Sequence, residues 1–299
     1  MTPDEARMEF RAWLRTKNYR PASIISYTQM LTSFWQWLSQ EQIKDLRVVS
    51  RAMLDQYAAY VRTQSVNHWT QALRLRAVKR LFGCLVENNH LLIDPATGLR
   101  DPSTGRRLPR PILTQAEMKR LLAWPNISLS HGIRDRALLE LLYSTGLRMG
   151  EAVALTVYDL DLNAGLLCIR TSKSGKGRVA PIGKEATKWL SEYLKNIRPR
   201  QNRLAPHERA LFLTQKGTPF TRNTIEGIIR HSARGAKMNK PVTCHTFRHS
   251  CATHLLEAGA DLMAIKELLG HRDLSTTQIY TRVRPVEVKA MHQATHPRP

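Results

Sequence analysis

Two segments in the last third of the chain, followed by a single tyrosine, contain the residue types that phosphate chemistry needs. His245 and Arg248 lie three positions apart, His271 ends a Leu-Leu-Gly-His segment, and Tyr280 follows nine residues later. On a helix the first two residues would project to one side, and the planar guanidinium of arginine matches two phosphate oxygens. A tyrosine hydroxyl is a nucleophile that can form a covalent intermediate. This order of residues predicts a chain that attacks DNA through a tyrosine hydroxyl.

Transfer of a phosphodiester without a metal needs a nucleophile, cations on the nonbridging oxygens and an acid for the leaving oxygen. Arg148 is a candidate cation: it lies just beyond a helix end, with Glu151 three residues later. Taken alone, an arginine three positions before a glutamate is more often a surface ion pair. A lone tyrosine near apolar residues, such as Tyr280, is more often packed in a core.

Metal chemistry is the main alternative mechanism. Zinc sites use closed sets of Cys and His or an HExxH motif, and His245 with His249 supplies only two ligands. A two-metal nuclease needs clustered carboxylates, and the nearest pair, Asp159 with Asp161, lies where turn residues are expected. The segment Ser174-Gly-Lys-Gly lies inside a hairpin and not at a strand-to-helix turn, so it does not predict an ATP site. The sequence therefore predicts no metal and no cofactor.

The composition predicts a polyanionic partner. The 299 residues include 46 Lys and Arg against 24 Asp and Glu, a formal net charge of +22. Such an excess spread along the chain suits nucleic-acid binding, although charge alone also fits an RNA-binding protein. The four cysteines form no CxxC pair, no apolar run approaches membrane-spanning length, and the start of the chain is no signal peptide. We expect a cytoplasmic protein with no membrane association.

The spacing of apolar residues predicts a mainly α chain with two domains. Residues 1–93 show helical spacing throughout, residues 94–111 form a basic, proline-rich linker, and residues 112–299 form a second domain. A helix near the end of the first domain has one basic face that suits a phosphate backbone, although a merely solvated face is an equal alternative. The residues of that face are Arg76, Lys79 and Arg80.

The second domain is expected to be mostly helical with a small antiparallel sheet. Thr114 and Glu117 form a capping box at the start of its first helix, and Gly146 ends the next. Two short strands, 166–170 and 178–182, flank a glycine-containing turn and read as a hairpin.

Taken together, these segments resemble the tyrosine recombinases, or phage integrase family, and most closely its Xer-type bacterial members, over nearly the whole chain. The family's motifs are T-G-L-R-x-x-E, a hairpin lysine in G-K-G-x-K-x-R, H-x-L-R-H, L-G-H, and a tyrosine nine residues later. The resemblance assigns active-site positions to Arg148, Lys173, His245, Arg248, His271 and Tyr280.

The chain departs from the family's motifs at three places. Serines flank Lys173 where the family has glycines, which leaves Lys176 as an alternative general acid. Phe247 replaces the leucine between histidine and arginine, and Arg282 stands where a histidine is common.

The resemblance implies a SAM-like core-binding domain and a catalytic domain that together enclose a DNA duplex as a C-shaped clamp. Tyr280 would attack the scissile phosphate to give a 3′-phosphotyrosyl enzyme and a free 5′-hydroxyl, and strands would exchange through a Holliday junction. Arg148 and Arg248 would bind the nonbridging oxygens with help from His271, and Lys173 would protonate the leaving oxygen. The other implied roles are proton transfer for His245, support of the site geometry for Glu151, and DNA contact for Arg222.

The implied partners are double-stranded DNA with specific core sites and further protomers. The tail, residues 286–299, resembles the Xer segment that docks on a neighbouring protomer, which implies a homo- or heterotetramer on DNA. Two other functions remain open at this point: relaxation of DNA by a type IB topoisomerase, and DNA binding by a catalytically silent relative.

Overall fold

The computed structural model describes residues 1–101, 112–170, 177–203, 208–270 and 285–298, and of residues 285–287 the backbone alone. The chain divides into two compact units, Met1–Leu108 and Pro109–Pro299. The mainly α fold with a small antiparallel sheet is confirmed. No helix within the described ranges is long and apolar enough to cross a bilayer.

The first unit is a helical bundle around an aromatic core. Phe34 packs edge-on against Tyr57, with ring centroids 4.9 Å apart, and Phe82 packs against the same phenyl ring. Helical spacing places the apolar side chains of the last helix on one face, so that this face is buried. The α-helices of residues 1–101 are α1 (Pro3–Thr16), α2 (Pro21–Gln40), α3 (Arg51–Thr63) and α4 (His68–Glu87).

Residues 94–101, which the sequence assigned to the linker, pack on this bundle. Ala96 and Leu99 are buried in its core, and the carboxylate of Asp94 accepts a hydrogen bond from the backbone N–H of Ala96 at 2.8 Å. The remaining linker residues, 102–111, lie outside the described residues.

The second unit combines helices with one antiparallel sheet of strand order β1-β2-β3. The hairpin expected from the sequence is present, with Leu166 opposite Pro181 and Ile169 opposite Arg178. The described elements are α5 (Gln115–Ala123), α6 (Ser130–Thr145), α7 (Met149–Ala154), β1 (Leu160–Asp161), β2 (Leu166–Ile169), β3 (Arg178–Pro181), α8 (Lys184–Glu192), a π-helical turn (Tyr193–Ile197), α9 (Arg198–Asn202), α10 (Arg222–Gly235), α11 (Cys244–Glu257), α12 (Leu262–Leu269) and α13 (Pro285–Thr295).

Helix α6 is the centre of this unit and is buried on nearly every side. It ends at Gly146, which has φ +57°, as the sequence predicted. A Cβ at this position would also lie 2.5 Å from the side chain of Leu269 at the end of α12. Glycine is therefore required at position 146 for two reasons: the left-handed turn and the close approach of α12. The capping box of α5 is also confirmed: the Glu117 carboxylate accepts from the Thr114 N–H at 2.8 Å.

The tail packs on its own second unit in this single chain. Val288, His292 and His296 are buried, and Nε2 of His292 lies 2.9 Å from the Ser144 carbonyl. The rings of the two histidines stack with centroids 4.4 Å apart. At the end of the tail Arg298 pairs with the buried carboxylate of Glu140 at 3.0 Å.

The two tail histidines make this packing sensitive to pH. Burial lowers the pKa of His292 to about 4, and burial together with the neighbouring His292 lowers the pKa of His296 to about 3. A histidine in a released tail has an ordinary pKa near 6.5, so it binds a proton that the docked residue does not. Docking is therefore most favourable above about pH 6.5 and weakens as the pH falls from there towards 4.

Lowering the pH from about 8 to about 5.5 is expected to loosen the tail, by up to about 1.4 kcal/mol per pH unit for each histidine. Hydrogen exchange of the backbone amides of residues 285–298, corrected for intrinsic rates, measures the resulting loss of protection. Helix α2, which contains no histidine, is the internal control. A protein with His292→Gln and His296→Gln should lose the pH dependence, since glutamine keeps a donor but does not titrate. Protection that falls equally in both proteins as the pH is lowered would contradict this assignment.

Candidate functional site

Three arginine side chains meet at the C-terminal end of α12. Helix C-termini carry carbonyl groups without partners inside the helix and a partial negative charge, so guanidinium groups bind there favourably. The acceptors are the carbonyl oxygens of three consecutive residues. The contacts are Arg178 Nε to Leu268 at 2.9 Å, Arg248 Nη2 to Leu269 at 2.6 Å, and Arg148 Nη2 to Gly270 at 2.7 Å.

Glu151 connects two of these arginines. Its Oε1 accepts from Nη1 of Arg148 at 2.9 Å and from Nη1 of Arg178 at 2.8 Å. Its Oε2 accepts from the backbone N–H of Arg148 and from Nη2 of Arg178, both at 2.9 Å. The side chain is only 4% exposed. Burial acts to raise the pKa of Glu151, but the hydrogen bonds from Arg178 and Arg148 outweigh it, so the pKa lies below its usual value and the carboxylate stays ionised.

Arg248 lies on α11 and is 7% exposed. Its Nη1 donates to the Gly146 carbonyl at 2.8 Å, so that one guanidinium joins the ends of α6 and α12. Burial, together with repulsion from Arg148 and Arg178, lowers the pKa of Arg248 to about 10. The group therefore remains charged at neutral pH.

His245 lies in the first turn of the same helix and is exposed, whereas Arg248 is buried. The three-residue spacing places both residues on α11, as the sequence predicted, but at different depths. His249 is exposed as well.

The remaining predicted site residues, Lys173, His271 and Tyr280, lie outside the described residues, as does Lys176. Described residues close to them in the chain belong to the arginine cluster. Gly270, which precedes His271, accepts from Arg148, and β3 begins at Arg178, two positions after Lys176 in the chain.

This cluster can bind one phosphate group. Three arginines and one glutamate give a net charge of +2, which exceeds the single negative charge of a phosphodiester. Among the described residues, Arg148 and Arg248 each use two of the five guanidinium donors, so donors remain for phosphate oxygens.

No role for Arg178 was predicted from the sequence. Its side chain is 9% exposed and contacts residues 27 and 90 positions away. The only sequence signal was its place in the hairpin motif, as the arginine of K-x-R.

Arg222, a predicted DNA contact, lies beside the site. It is the first residue of α10 and is exposed, and its Nη2 lies 3.8 Å from the position that a Cβ at Gly150 would take.

The predicted basic face of α4 is partly engaged within the first unit. Arg76 and Lys79 donate to the carboxylate of Asp101 at 2.7 and 2.9 Å, and Arg80 lies over the rings of Trp13 and Tyr19.

The carboxylates considered for metal binding have structural partners. Asp159 pairs with Arg170 at 2.6 Å and accepts from Thr156, and Asp161 accepts from the backbone N–H of Ala164 at 2.8 Å. These contacts match the turn role that the sequence favoured for both residues.

Comparison with known proteins identifies the family. Residues 111–287 match the phage integrase family, and residues 9–89 match the SAM-like N-terminal domain of phage integrases.

Curated relatives match across both units. The chain is 37% identical to tyrosine recombinase XerD of Pseudomonas putida, over 96% of this chain and 94% of that protein. It is 38% identical to tyrosine recombinase XerC 2 of Ralstonia nicotianae, over 87% and 76%. A crystal structure of the XerH site-specific recombinase has the same fold, with a TM-score of 0.70, 24% identity, and coverage of 85% of this chain and 74% of that one. The chain belongs to the phage integrase family, and both of these curated relatives are Xer-type tyrosine recombinases.

Proposed function

We propose that this protein is a site-specific DNA recombinase that cuts and rejoins strands through a 3′-phosphotyrosyl intermediate, without metal or ATP. The observation that carries the proposal is the meeting of Arg148 and Arg248 at the end of α12, in a chain related to XerC and XerD proteins over most of its length. The net charge of +22 fits a DNA partner.

In this proposal Tyr280 attacks the scissile phosphate, a P–O bond forms to the tyrosine, and the bond to the 5′-oxygen breaks. Arg148 and Arg248 bind the nonbridging oxygens as charge develops there, with a hydrogen bond from His271. Lys173 gives its proton to the leaving 5′-oxygen, with Lys176 as the alternative acid, and His245 assists proton transfer at the tyrosine. Reversal of these steps with a strand from the partner duplex conserves the bond energy.

Glu151 keeps Arg148 in place through its two bonds to that residue. Arg222 lies beside the cluster and would contact the DNA backbone, and Arg76, Lys79 and Arg80 would do so from the first unit. To contact DNA, Arg76 and Lys79 would have to release the carboxylate of Asp101 and bind a phosphate instead.

We further propose assembly of a homo- or heterotetramer on core sites, in the cytoplasm at the nucleoid. The packing of the tail supports an exchange mechanism, because the contacts of His292, His296 and Arg298 with the second unit would be the same in a neighbouring protomer. The domain boundaries proposed are 1–93, 94–111 and 112–299.

Covalent adducts should form equally well in excess EDTA and in Mg²⁺, because positively charged side chains stabilise the negative charge that metal ions stabilise in nucleases. Denaturing gels of a nicked duplex that contains the core site measure adduct yield. Loss of adduct in EDTA that Mg²⁺ restores would instead indicate a metal-dependent nuclease.

The function is tested by trapping the protein on its own genome. Fragmented genomic DNA is incubated with the protein, the reaction is stopped with SDS, and the DNA that remains linked to protein is sequenced. We expect 3′-linked ends at a small set of related sequences. Adducts at unrelated positions would indicate a type IB topoisomerase, and absence of adducts with retained binding would indicate a catalytically silent relative.

A further inference from the structure

Arg178 directs three of its five guanidinium donors into the cluster, one from each nitrogen. Its Nη1 and Nη2 form a fork on both oxygens of Glu151, at 2.8 and 2.9 Å, and its Nε donates to the Leu268 carbonyl at 2.9 Å. Every nitrogen of the guanidinium thus has a partner inside the unit, and the side chain is 9% exposed. Such a residue is suited to fix the position of other groups and not to bind substrate.

The fork completes the acceptor capacity of Glu151. A carboxylate offers about four lone-pair sites, and each oxygen of Glu151 accepts one bond from Arg148 and one from Arg178. Without Arg178, half of these sites would lose their donor in a buried place, and the carboxylate could rotate. Glu151 would then no longer define the direction of the Arg148 guanidinium.

Arg178 also couples three parts of the fold. It is the first residue of β3, and it bonds to α7 through Glu151 and to the last turn of α12 through Leu268. The space around it is tight: a Cβ at Gly270 would lie 3.1 Å from its Cδ.

We propose that Arg178 is a positioning residue for phosphate binding, which acts on the scissile phosphate through Glu151 and Arg148. The inference rests on the proposed function, because it assumes that Arg148 binds the scissile phosphate.

The test compares single-turnover adduct formation on two nicked duplexes, one with the natural scissile phosphate and one with a neutral methylphosphonate there. Arg178→Met should slow adduct formation on the phosphate by about 10- to 100-fold, less than loss of a direct donor, with unchanged DNA affinity. On the methylphosphonate the Arg178→Met variant should form the adduct nearly as fast as the wild type, because this linkage lacks the negative charge that Arg148 binds. Arg178→Lys should be only partly active, since lysine cannot form the fork.

The matched control is Arg134→Met. Arg134 is another buried arginine of the second unit. It pairs with Asp135 at 2.8 Å and donates to the carbonyl of Leu213, and neither partner belongs to the arginine cluster. In addition, Arg148→Ala combined with Arg178→Met should be no slower than Arg148→Ala alone, because both changes remove the same interaction.

Equal losses on the two substrates, a loss no greater than that of Arg134→Met, or additive effects in the double variant would overturn the role of Arg178 while leaving the recombinase proposal intact. A wild-type protein that forms no adduct on either duplex would overturn both.

Discussion

Replacement of Tyr280 by phenylalanine is expected to abolish the SDS-resistant protein–DNA adduct completely. The change removes one oxygen atom, and that atom is the proposed nucleophile, so no intermediate can form however well the DNA is bound. The measurement is the yield of adduct on a nicked duplex, which traps the covalent complex because the cut strand segment diffuses away. DNA binding, followed by gel shift, should be unchanged.

The matched control for this variant is Tyr158→Phe. Tyr158 is an exposed tyrosine of the same unit, and we expect its adduct yield to equal that of the wild type. Adduct formation by Tyr280→Phe, or its loss in Tyr158→Phe, would show that the nucleophile has been assigned to the wrong residue.

Arg248→Ala should reduce the rate of adduct formation by about 100- to 1000-fold, the typical cost of removing one donor to a developing negative charge. Part of the effect has a structural origin, since the carbonyls of Gly146 and Leu269 lose their donor, at about 1–3 kcal/mol for each buried group left unpaired. Unfolding temperature and DNA affinity must therefore be measured beside the rate.

Arg198 provides the matched control for this second variant. It is also buried in the second unit, and within the described part of the chain its hydrogen bonds go to backbone carbonyls, among them those of Glu208 and Ala210 at 2.8 and 2.7 Å. Arg198→Ala should lower stability to a similar degree without a comparable loss of rate. If both variants lose activity in proportion to stability, Arg248 is a structural residue and not a ligand of the phosphate.

Local features of the fold could be predicted from the sequence because they depend on nearby residues. The capping box of Thr114 and Glu117, the helix end at Gly146 and the strand pair around residues 171–176 each follow from a short pattern of residue types. The motif order also placed Arg148 and Arg248 in one site, and the structure brings both to the end of α12.

Features that depend on distant contacts could not be predicted in this way. The partners of Arg178 lie 27 and 90 positions away, and neither its burial nor its fork on Glu151 has a periodic signature. The burial of Ala96 and Leu99 was missed because a short segment rich in turn formers shows no periodicity. For the same reason the sequence did not show that Asp101 engages Arg76 and Lys79.

The packing of the tail illustrates a further limit. The resemblance implied docking on a neighbouring protomer, and in the single chain His292 and Arg298 bind the chain's own second unit. A sequence specifies which surfaces fit together but not whether they belong to one molecule or two, because the contacts are the same in both cases. The positions of Lys173, His271 and Tyr280 stay predictions of the sequence.

In the proposed reaction Tyr280 becomes linked to the 3′-phosphate of a cut DNA strand. Tryptic digestion of the trapped adduct, nuclease trimming and mass spectrometry identify the linked residue directly. Arg272 and Arg282 flank the tyrosine, so a single peptide, residues 273–282, should carry the nucleotide. We predict that the mass increment lies on Tyr280 and that the released strand carries a 5′-hydroxyl. A nucleotide on any other residue, or a link to a 5′-phosphate, would contradict the account.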